Sequence, residues 1–486
     1  MLGHATGRRA GWLEAVGLGT QQARAWAMYD WANSAFATTI TASVFPIYFV
    51  RVAGAGLPDG RAYATWTVLN GVALAVSAAL GPLLGAVADR LGASRRFLLG
   101  FAALGIAASA SLATVGRGEW RLGAVLFAIG LIGFSSANVF YDSLLSRVST
   151  PEQADRLSAA GYAMGYLGGG LLLVLHVAMI QRPGWFGLAA AAAGEPLDGP
   201  ATRWAFVTVA LWWLVFTVPL WRHVGRGRDG ARGVGPAAGR DDAGAAAGLV
   251  GGPNGGDEGR ARGVGGGGDA PARPRFGAIV RDGTADLVRT LRAAPRHRDL
   301  FVFLVAFWLY SDGIGTFQKQ AAAYGSEIGL GAGGIIGALV MTQFAGVPFS
   351  FGFGLLARRV GARRALFLGL AVFTVVAALA RFVALSWHFY ALAFGVAMVQ
   401  GGTQALSRSL FSRLVPAGQE AAFFAFFSVS SKFAGVLGPL LIGLLGLWGV
   451  GARDSIFVLV VLFVAGMAVL SRVDFERGRR AAHAAA

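Results

Sequence analysis

The chain has no cysteine among its 486 residues, which excludes disulfides, thiolate metal sites and cysteine nucleophiles and leaves the redox compartment unread. It is also poor in charge. Asp, Glu, Lys and Arg together make up 14% of it, against about a quarter in an ordinary water-soluble protein. Lysine is nearly absent, and the six histidines are scattered. No His/Glu metal set and no Ser/Lys dyad can be assembled from this pattern, so no enzyme, cofactor or metal is expected. The first 23 residues lack an apolar core flanked by a cleavage site, so no signal peptide is expected.

What the chain has is hydrophobicity, 55% of all residues. Apolar runs of about 20 residues cross a ~30 Å hydrocarbon core as helices. Twelve such runs are readable, centred near Ala37, Val76, Ile106, Ile129, Gly169, Trp212, Tyr310, Gln343, Phe373, Phe394, Gly438 and Val461. None leaves room before the next for a soluble catalytic domain. The expected architecture is an all-α membrane protein of twelve transmembrane helices.

The formal charge of +17 invites a nucleic-acid reading, but the arginines are not gathered on one stripe or tail. They alternate with the runs. With the N-terminus placed in the cytoplasm and the long central loop set aside, the inner segments carry Arg8, Arg9, Arg24, Arg90, Arg95, Arg96, Arg147, Arg156, Arg358, Arg359, Arg363, Arg364, Arg413, Arg472, Arg477, Arg479 and Arg480. The outer loops hold fewer: Arg51, Arg61, Arg117, Arg121, Arg182, Arg203, Arg381 and Arg453. That bias is the positive-inside rule and predicts both termini in the cytoplasm. The basic balance therefore reports topology first and attraction to anionic lipid second. The preference for Arg over Lys, with abundant Gly and Ala, points to a GC-rich and bacterial genome, hence a multi-pass protein of the cell membrane.

From Gly225 to Arg275 the chain is Gly, Ala, Arg and Asp without hydrophobic periodicity and is expected to stay disordered. Phe276, Ile279, Val280, Leu287, Val288 and Leu291 then recur near helical spacing among charges, as in an interfacial helix. The expected divisions are a cytoplasmic N-terminus 1–24, a six-helix lobe 25–222, a cytoplasmic linker 223–298, a second lobe 299–472 and a cytoplasmic tail 473–486.

The two halves repeat each other. GAVADRLGASRR from Gly85 matches GLLARRVGARR from Gly354, and ANVFYDSLLSRVSTP matches TQALSRSLFSRLVP. The second match pairs Asn138 with Gln404, Asp142 with Arg408 and Arg147 with Arg413. GYAMGYLGGG from Gly161 matches SKFAGVLGPL from Ser431, and the Tyr29/Phe36 spacing recurs as Tyr310/Phe317. Two six-helix repeats in parallel orientation are the plan of known two-lobed carriers, with the substrate site at the midplane between lobes.

The turn Gly85, Asp89, Arg90, Gly92, Arg95, Arg96 resembles the signature of the major facilitator superfamily. WAMYDWANSAFATTI from Trp26, GYAMGYLGGG, LYSDGIGTF from Leu309, GGTQALSRSLFSRLVP from Gly401 and KFAGVLGP from Lys432 are similar to the branch containing the autophagy-linked vacuolar amino-acid effluxers and their bacterial relatives. The resemblance runs from about Trp26 to Arg472. It implies the major facilitator fold and a central cavity lined by the first, fourth, seventh and tenth helices.

Ionisable residues inside apolar runs are costly and are functional candidates by default. Here they are Asp30 on the first run, Asp142 on the fourth, Asp312 and Lys319 on the seventh, Arg408 on the tenth and Lys432 on the eleventh. Helical spacing extends them into polar stripes: Asp30, Asn33, Ser34, Ala37 and Thr41; Asn138 and Asp142; Asp312, Gly315, Thr316 and Lys319; Gln400, Gln404 and Arg408. The substrate or ion pathway is therefore expected at Asp30, Asn33, Asn138, Asp142, Asp312, Gln404, Arg408 and Lys432, with Asp312 at the midplane and Asp30 nearer the inner gate. Asp142 and Arg408 occupy equivalent repeat positions with opposite charge, which predicts an ion pair that closes the inner end in one state. Asp89, Arg90, Arg95 and Arg96 read as a cytoplasmic latch. His176 reads as a bland polar contact, and Gly161, Gly165 and Gly169 as a close helix crossing.

These readings predict a monomeric secondary transporter of a small polar solute working by alternating access. Amino acids are the substrate the resemblance implies, with protons as a coupling ion through Asp312. An efflux carrier for drugs or metabolites is the alternative within the superfamily, and a non-transporting receptor or scaffold the alternative outside it.

Overall fold

The computed structural model describes residues 11, 13–14, 17–91, 93–149, 151–191, 195–224, 297–415, 427 and 434–484. The linker between 225 and 296, its interfacial segment and Lys432 lie outside these residues, as do the side chains of Asp89 and Arg90.

The apolar runs form helices because a chain in lipid must satisfy every backbone N–H and C=O within itself. In order they are α1 (Gln21–Ala53), α2 (Arg61–Leu91), α3 (Ser94–Ser111), α4 (Trp120–Val148), α5 (Pro151–Gln181) and α6 (Pro200–His223). After the linker come α7 (Arg298–Glu327), α8 (Ala332–Val360), α9 (Ala362–Ala380), α10 (Ser386–Ser412), α11 (Leu437–Leu447), α12 (Ala452–Ser471) and a short α13 (Phe475–Ala484). Among the described residues nine helices are long and apolar enough to cross a membrane. The turns after α7 and α8 are tight: Gly329 and Gly361 take positive φ of 89° and 90°, a conformation that costs glycine little.

Outward-facing positions are apolar where a soluble protein would be polar. Val215, Val375 and Val461 are exposed, and Trp185 and Trp448, 77% and 78% exposed, sit at helix ends as aromatic interface anchors do.

Helix crossings are close where glycine removes the side chain. A Cβ on Gly161 would lie 2.7 Å from Asp30 Oδ2, and one on Gly165 2.6 Å from Ser34 Oγ. The glycines of α5 thus seat α1, as their spacing predicts. Gly435 and Gly438, at the start of α11, face α7 in the same manner, over Gly315, Thr316 and Lys319.

The described residues nearest the two ends of the chain lie at one end of the bundle, here termed proximal. Gly17 abuts Leu157 near the start of α5, and Gly478 abuts Leu414 beyond α10. The tail residues form α13, whose Arg477 donates two hydrogen bonds of 2.7 Å to the Asp299 carboxylate at the start of α7; the backbone N–H of Asp474 donates to the same carboxylate.

Candidate functional site

The site begins with an irregularity in α1. Pro46 has no N–H to give the turn before it, and the helix accommodates this by widening into a π-helical stretch over Phe36–Ser43. The Val44 N–H reaches back five residues to the Thr39 carbonyl, and the Ser43 hydroxyl donates to the Thr38 carbonyl at 2.5 Å. Such widenings rotate all later side chains relative to a regular helix. The polar stripe read from three-, four- and seven-residue spacing is therefore redirected. Thr41 is buried away from the centre, and the residues that reach it are Ala37, Thr38, Ala42 and Ser43.

These four line a cavity of about 280 Å³ between the helices that precede the linker and those that follow it. Tyr166 of α5 enters the wall from the same side. The opposite wall is made of Phe317, Gln318, Gln320, Ala321 and Tyr324 from α7, Thr342 and Gln343 from α8, and Gln400 and Gln404 from α10. Leu392, Val396 and Leu459 supply an apolar floor. Of the sequence-expected pathway residues, Gln404 lies in this lining.

The distal end of the cavity is tied shut across the two groups of helices. Arg51, in the last turn of α1, donates from Nε to Ser326 Oγ at 2.9 Å and from its terminal nitrogen to the Leu330 carbonyl. It also faces Glu195 Oε2 at 3.6 Å. The rings of Tyr63 on α2 and Tyr324 on α7 meet edge-on at 6.4 Å beside it. At the proximal end Tyr162, Asp142 and Arg408 are exposed.

Asp30 and its neighbours form a second polar cluster, between α1 and α4. The Tyr141 hydroxyl donates to Asp30 Oδ2 at 3.0 Å, and the Trp26 indole N–H donates to the Tyr141 carbonyl at 3.0 Å while stacking on its ring at 4.3 Å. One turn on, Asn33 Nδ2 donates to Asn138 Oδ1 at 2.6 Å. Asp30 is thus bonded through Tyr141, the residue next to Asp142. Among the ion pairs of the described residues none joins Asp142 to Arg408.

Asp312 stands elsewhere. It is 1% exposed and on the side of α7 that faces α11. Its Oδ1 accepts the Gly438 N–H at 2.6 Å, and its Oδ2 accepts the Leu437 N–H at 2.9 Å. The Thr316 hydroxyl donates to the same carboxylate at 3.2 Å. This is a carboxylate on the first turn of a helix, where orphan N–H groups and the helix dipole both favour negative charge. Lys319, two turns along α7 from Asp312, extends over Gly435.

The remaining candidates have local partners. Arg95 donates to the Trp221 carbonyl of α6, which ties the start of α3 to its own group of helices, and Arg96 is exposed. His176 is fully buried and bonded on both ring nitrogens, to Thr39 of α1 at 3.0 Å and Thr208 of α6 at 2.8 Å, so it stitches three helices together. Among the described residues no group of three or more His, Asp or Glu is placed to hold a metal.

Sequence reasoning followed formal charges and so passed over most of the lining. Gln318, Gln320, Gln343, Thr38 and Tyr166 were not among its candidates. The signal available was the amide side chains inside apolar runs, which are costly to bury unpaired.

The chain from 61 to 149 and from 146 to 483 matches the family described as "Vacuole effluxer Atg22 like". It is 32% identical to the MFS-type transporter YxiO of Bacillus subtilis over 94% of this chain and 96% of that protein. It is 26% identical to Autophagy-related protein 22 of Yarrowia lipolytica over 67% of this chain and 51% of that one, so it spans about half the length of its fungal relatives. Among solved structures it is similar in fold to a D-xylose-proton symporter, with a TM-score of 0.61 at 13% identity over 94% and 98% of the two chains. A peptide transporter matches as well, with a TM-score of 0.61 at 13% identity over 95% of each chain. The chain belongs to the Atg22-like family and is a membrane transporter of the major facilitator type.

Proposed function

We propose that the protein is a secondary active transporter that moves a small polar solute across the cell membrane by alternating access, with both termini cytoplasmic. The observation that carries this reading is the central cavity: tied shut distally by Arg51, Ser326 and Leu330, and flanked proximally by exposed Tyr162, Asp142 and Arg408. That arrangement is one of the two states that alternation requires, the inward-facing one.

The architecture behind the proposal is twelve spans in two six-helix lobes, 25–222 and 299–472, acting as a monomer. Equivalent contacts in the two halves support the repeat. Tyr29 packs on Tyr141 at 5.0 Å between ring centroids, while the matching residues Tyr310 and Ser407 share a hydrogen bond of 2.7 Å. In each half a small-residue stretch on the fifth helix of the lobe seats the first.

Amino acids are the proposed substrates on the strength of the family. Protons are the proposed coupling ion, with Asp30, which accepts the Tyr141 hydroxyl between α1 and α4, as the carboxylate that would carry them. Counterflow and pH-driven accumulation of an amino-acid panel in proteoliposomes test this directly. Saturable counterflow supports the reading. A panel dominated by lipophilic cations would replace it with drug efflux.

A further inference from the structure

Among the described residues of the cavity wall, Gln320 has both of its polar atoms buried without a partner. Gln320 is 1% exposed, lies in the α7 wall of the cavity, and neither its Oε1 nor its Nε2 has a hydrogen-bond partner. Burying an amide without partners costs a few kcal/mol. A fold that keeps both a donor and an acceptor unpaired in a cavity wall leaves them for a partner that enters the cavity.

The surroundings narrow what that is. Gln318, Gln343, Gln400 and Gln404 add further amides, and the described lining includes neither carboxylate nor cation. Thr342 and Thr38 spend their hydroxyl protons on backbone carbonyls, Ala338 and Ser34 respectively, so they offer the cavity lone pairs. The rest of the wall is aliphatic and aromatic. A formal charge placed against these walls would lose its hydration without gaining a counter-charge.

We propose that this cavity is a recognition site for solutes whose inserted part is uncharged and presents an adjacent donor and acceptor, such as an amide, an imide edge or neighbouring hydroxyls, and that Gln320 reads that pair. This deepens the transport reading and rests on it: Gln320 becomes a specificity-determining residue for the carried solute. A site that holds buried polar groups for a partner rejects analogues that leave them unpaired, more strongly than an apolar pocket rejects an extra group.

Binding to the purified full-length protein is measured by thermal stabilisation and tryptophan fluorescence, with glutamine and glutamate as an isosteric amide/carboxylate pair, arginine as a cation, and xylose and uridine as hydroxyl and imide probes. Gln320→Met removes the amide at nearly constant volume. Because that amide is unpaired in the empty protein, the variant is expected to unfold no earlier than the parent. At least one neutral probe should bind, glutamine should bind at least tenfold tighter than glutamate if it is that probe, and Gln320→Met should weaken the neutral probe by tenfold or more, the loss of two neutral hydrogen bonds. Which neutral probe binds separates amide, imide and hydroxyl sources. Glutamate or arginine binding as tightly as the neutral probes, neutral binding unchanged in Gln320→Met, or no binding by any probe would each overturn the inference. Gln320-dependent binding without counterflow supports it and removes the transport reading alone. Counterflow indifferent to Gln320→Met does the reverse.

Discussion

The carboxylate of Asp312 accepts the backbone N–H of Gly438 at 2.6 Å, from a different helix and 126 positions away in the chain. With the Leu437 N–H on the other oxygen, one side chain of α7 fixes where α11 begins. The charge that looked most like a midplane ligand is spoken for by backbone.

Removing that carboxylate should therefore act on folding before transport. Asp312→Ala orphans two buried N–H groups and the Thr316 hydroxyl, and hydrogen bonds to a charged group contribute about 1.5–3 kcal/mol each. The expected result is a clear drop in melting temperature and loss of a monodisperse peak in detergent, larger than for Asp30→Asn. A folded, fully stable Asp312→Ala that has lost only transport would return Asp312 to the solute pathway.

Arg51 holds the distal end closed, so Arg51→Ala should shift the population toward the state open at that end. Two or three polar contacts of about 1 kcal/mol each correspond to a change in the ratio of roughly 30- to 150-fold. The chain has no cysteine, which makes single-cysteine labelling clean. A cysteine placed at Ala321 in the cavity wall should become more reactive to impermeant reagent from the distal side and less so from the proximal side. Unchanged labelling from both sides would remove Arg51 as a latch.

Gly161 is where α1 and α5 touch. A methyl group there meets Asp30 Oδ2 at 2.7 Å and the Trp26 ring at 2.9 Å, and overpacking of this kind costs about 1–3 kcal/mol. Gly161→Ala should lower thermal stability. Gly100→Ala on α3, where nothing lies within 4 Å, should leave stability unchanged or slightly raised. Equal effects at both sites would refute the close-crossing argument.

Among the ion pairs of the described residues none joins Asp142 to Arg408, and both side chains are exposed. If they meet when the proximal end closes, each single charge reversal should depress counterflow several-fold, while Asp142→Arg combined with Arg408→Asp recovers most of it. Failure of the double reversal to rescue would dispose of the pairing.

The sequence by itself determined what depends on composition and period. Low charge and long apolar runs dictated membrane helices because lipid offers no partner to a bare peptide group. The matched motifs of the two halves, and the glycine spacing at Gly161, Gly165 and Gly169, were legible for the same reason: each is a local pattern. Its list of candidate residues was shaped by formal charge. Asp30 and Asn33 do sit in a polar cluster, and Gln404 does line the cavity.

What a side chain faces was decided by tertiary structure. The π-helical stretch ahead of Pro46 turned Thr41 out of the expected stripe and brought Ala42 and Ser43 in, a rotation that spacing on a regular helix cannot foresee. Asp312 was drawn to the start of α11 because four N–H groups at a helix start need acceptors wherever the acceptor lies in the chain. That left the uncharged residues of α7, with Gln320 unpaired among them, as the wall of the cavity. No count along the sequence separates an amide that a neighbour satisfies from one that waits for a ligand, because the difference is made by which helices pack around it.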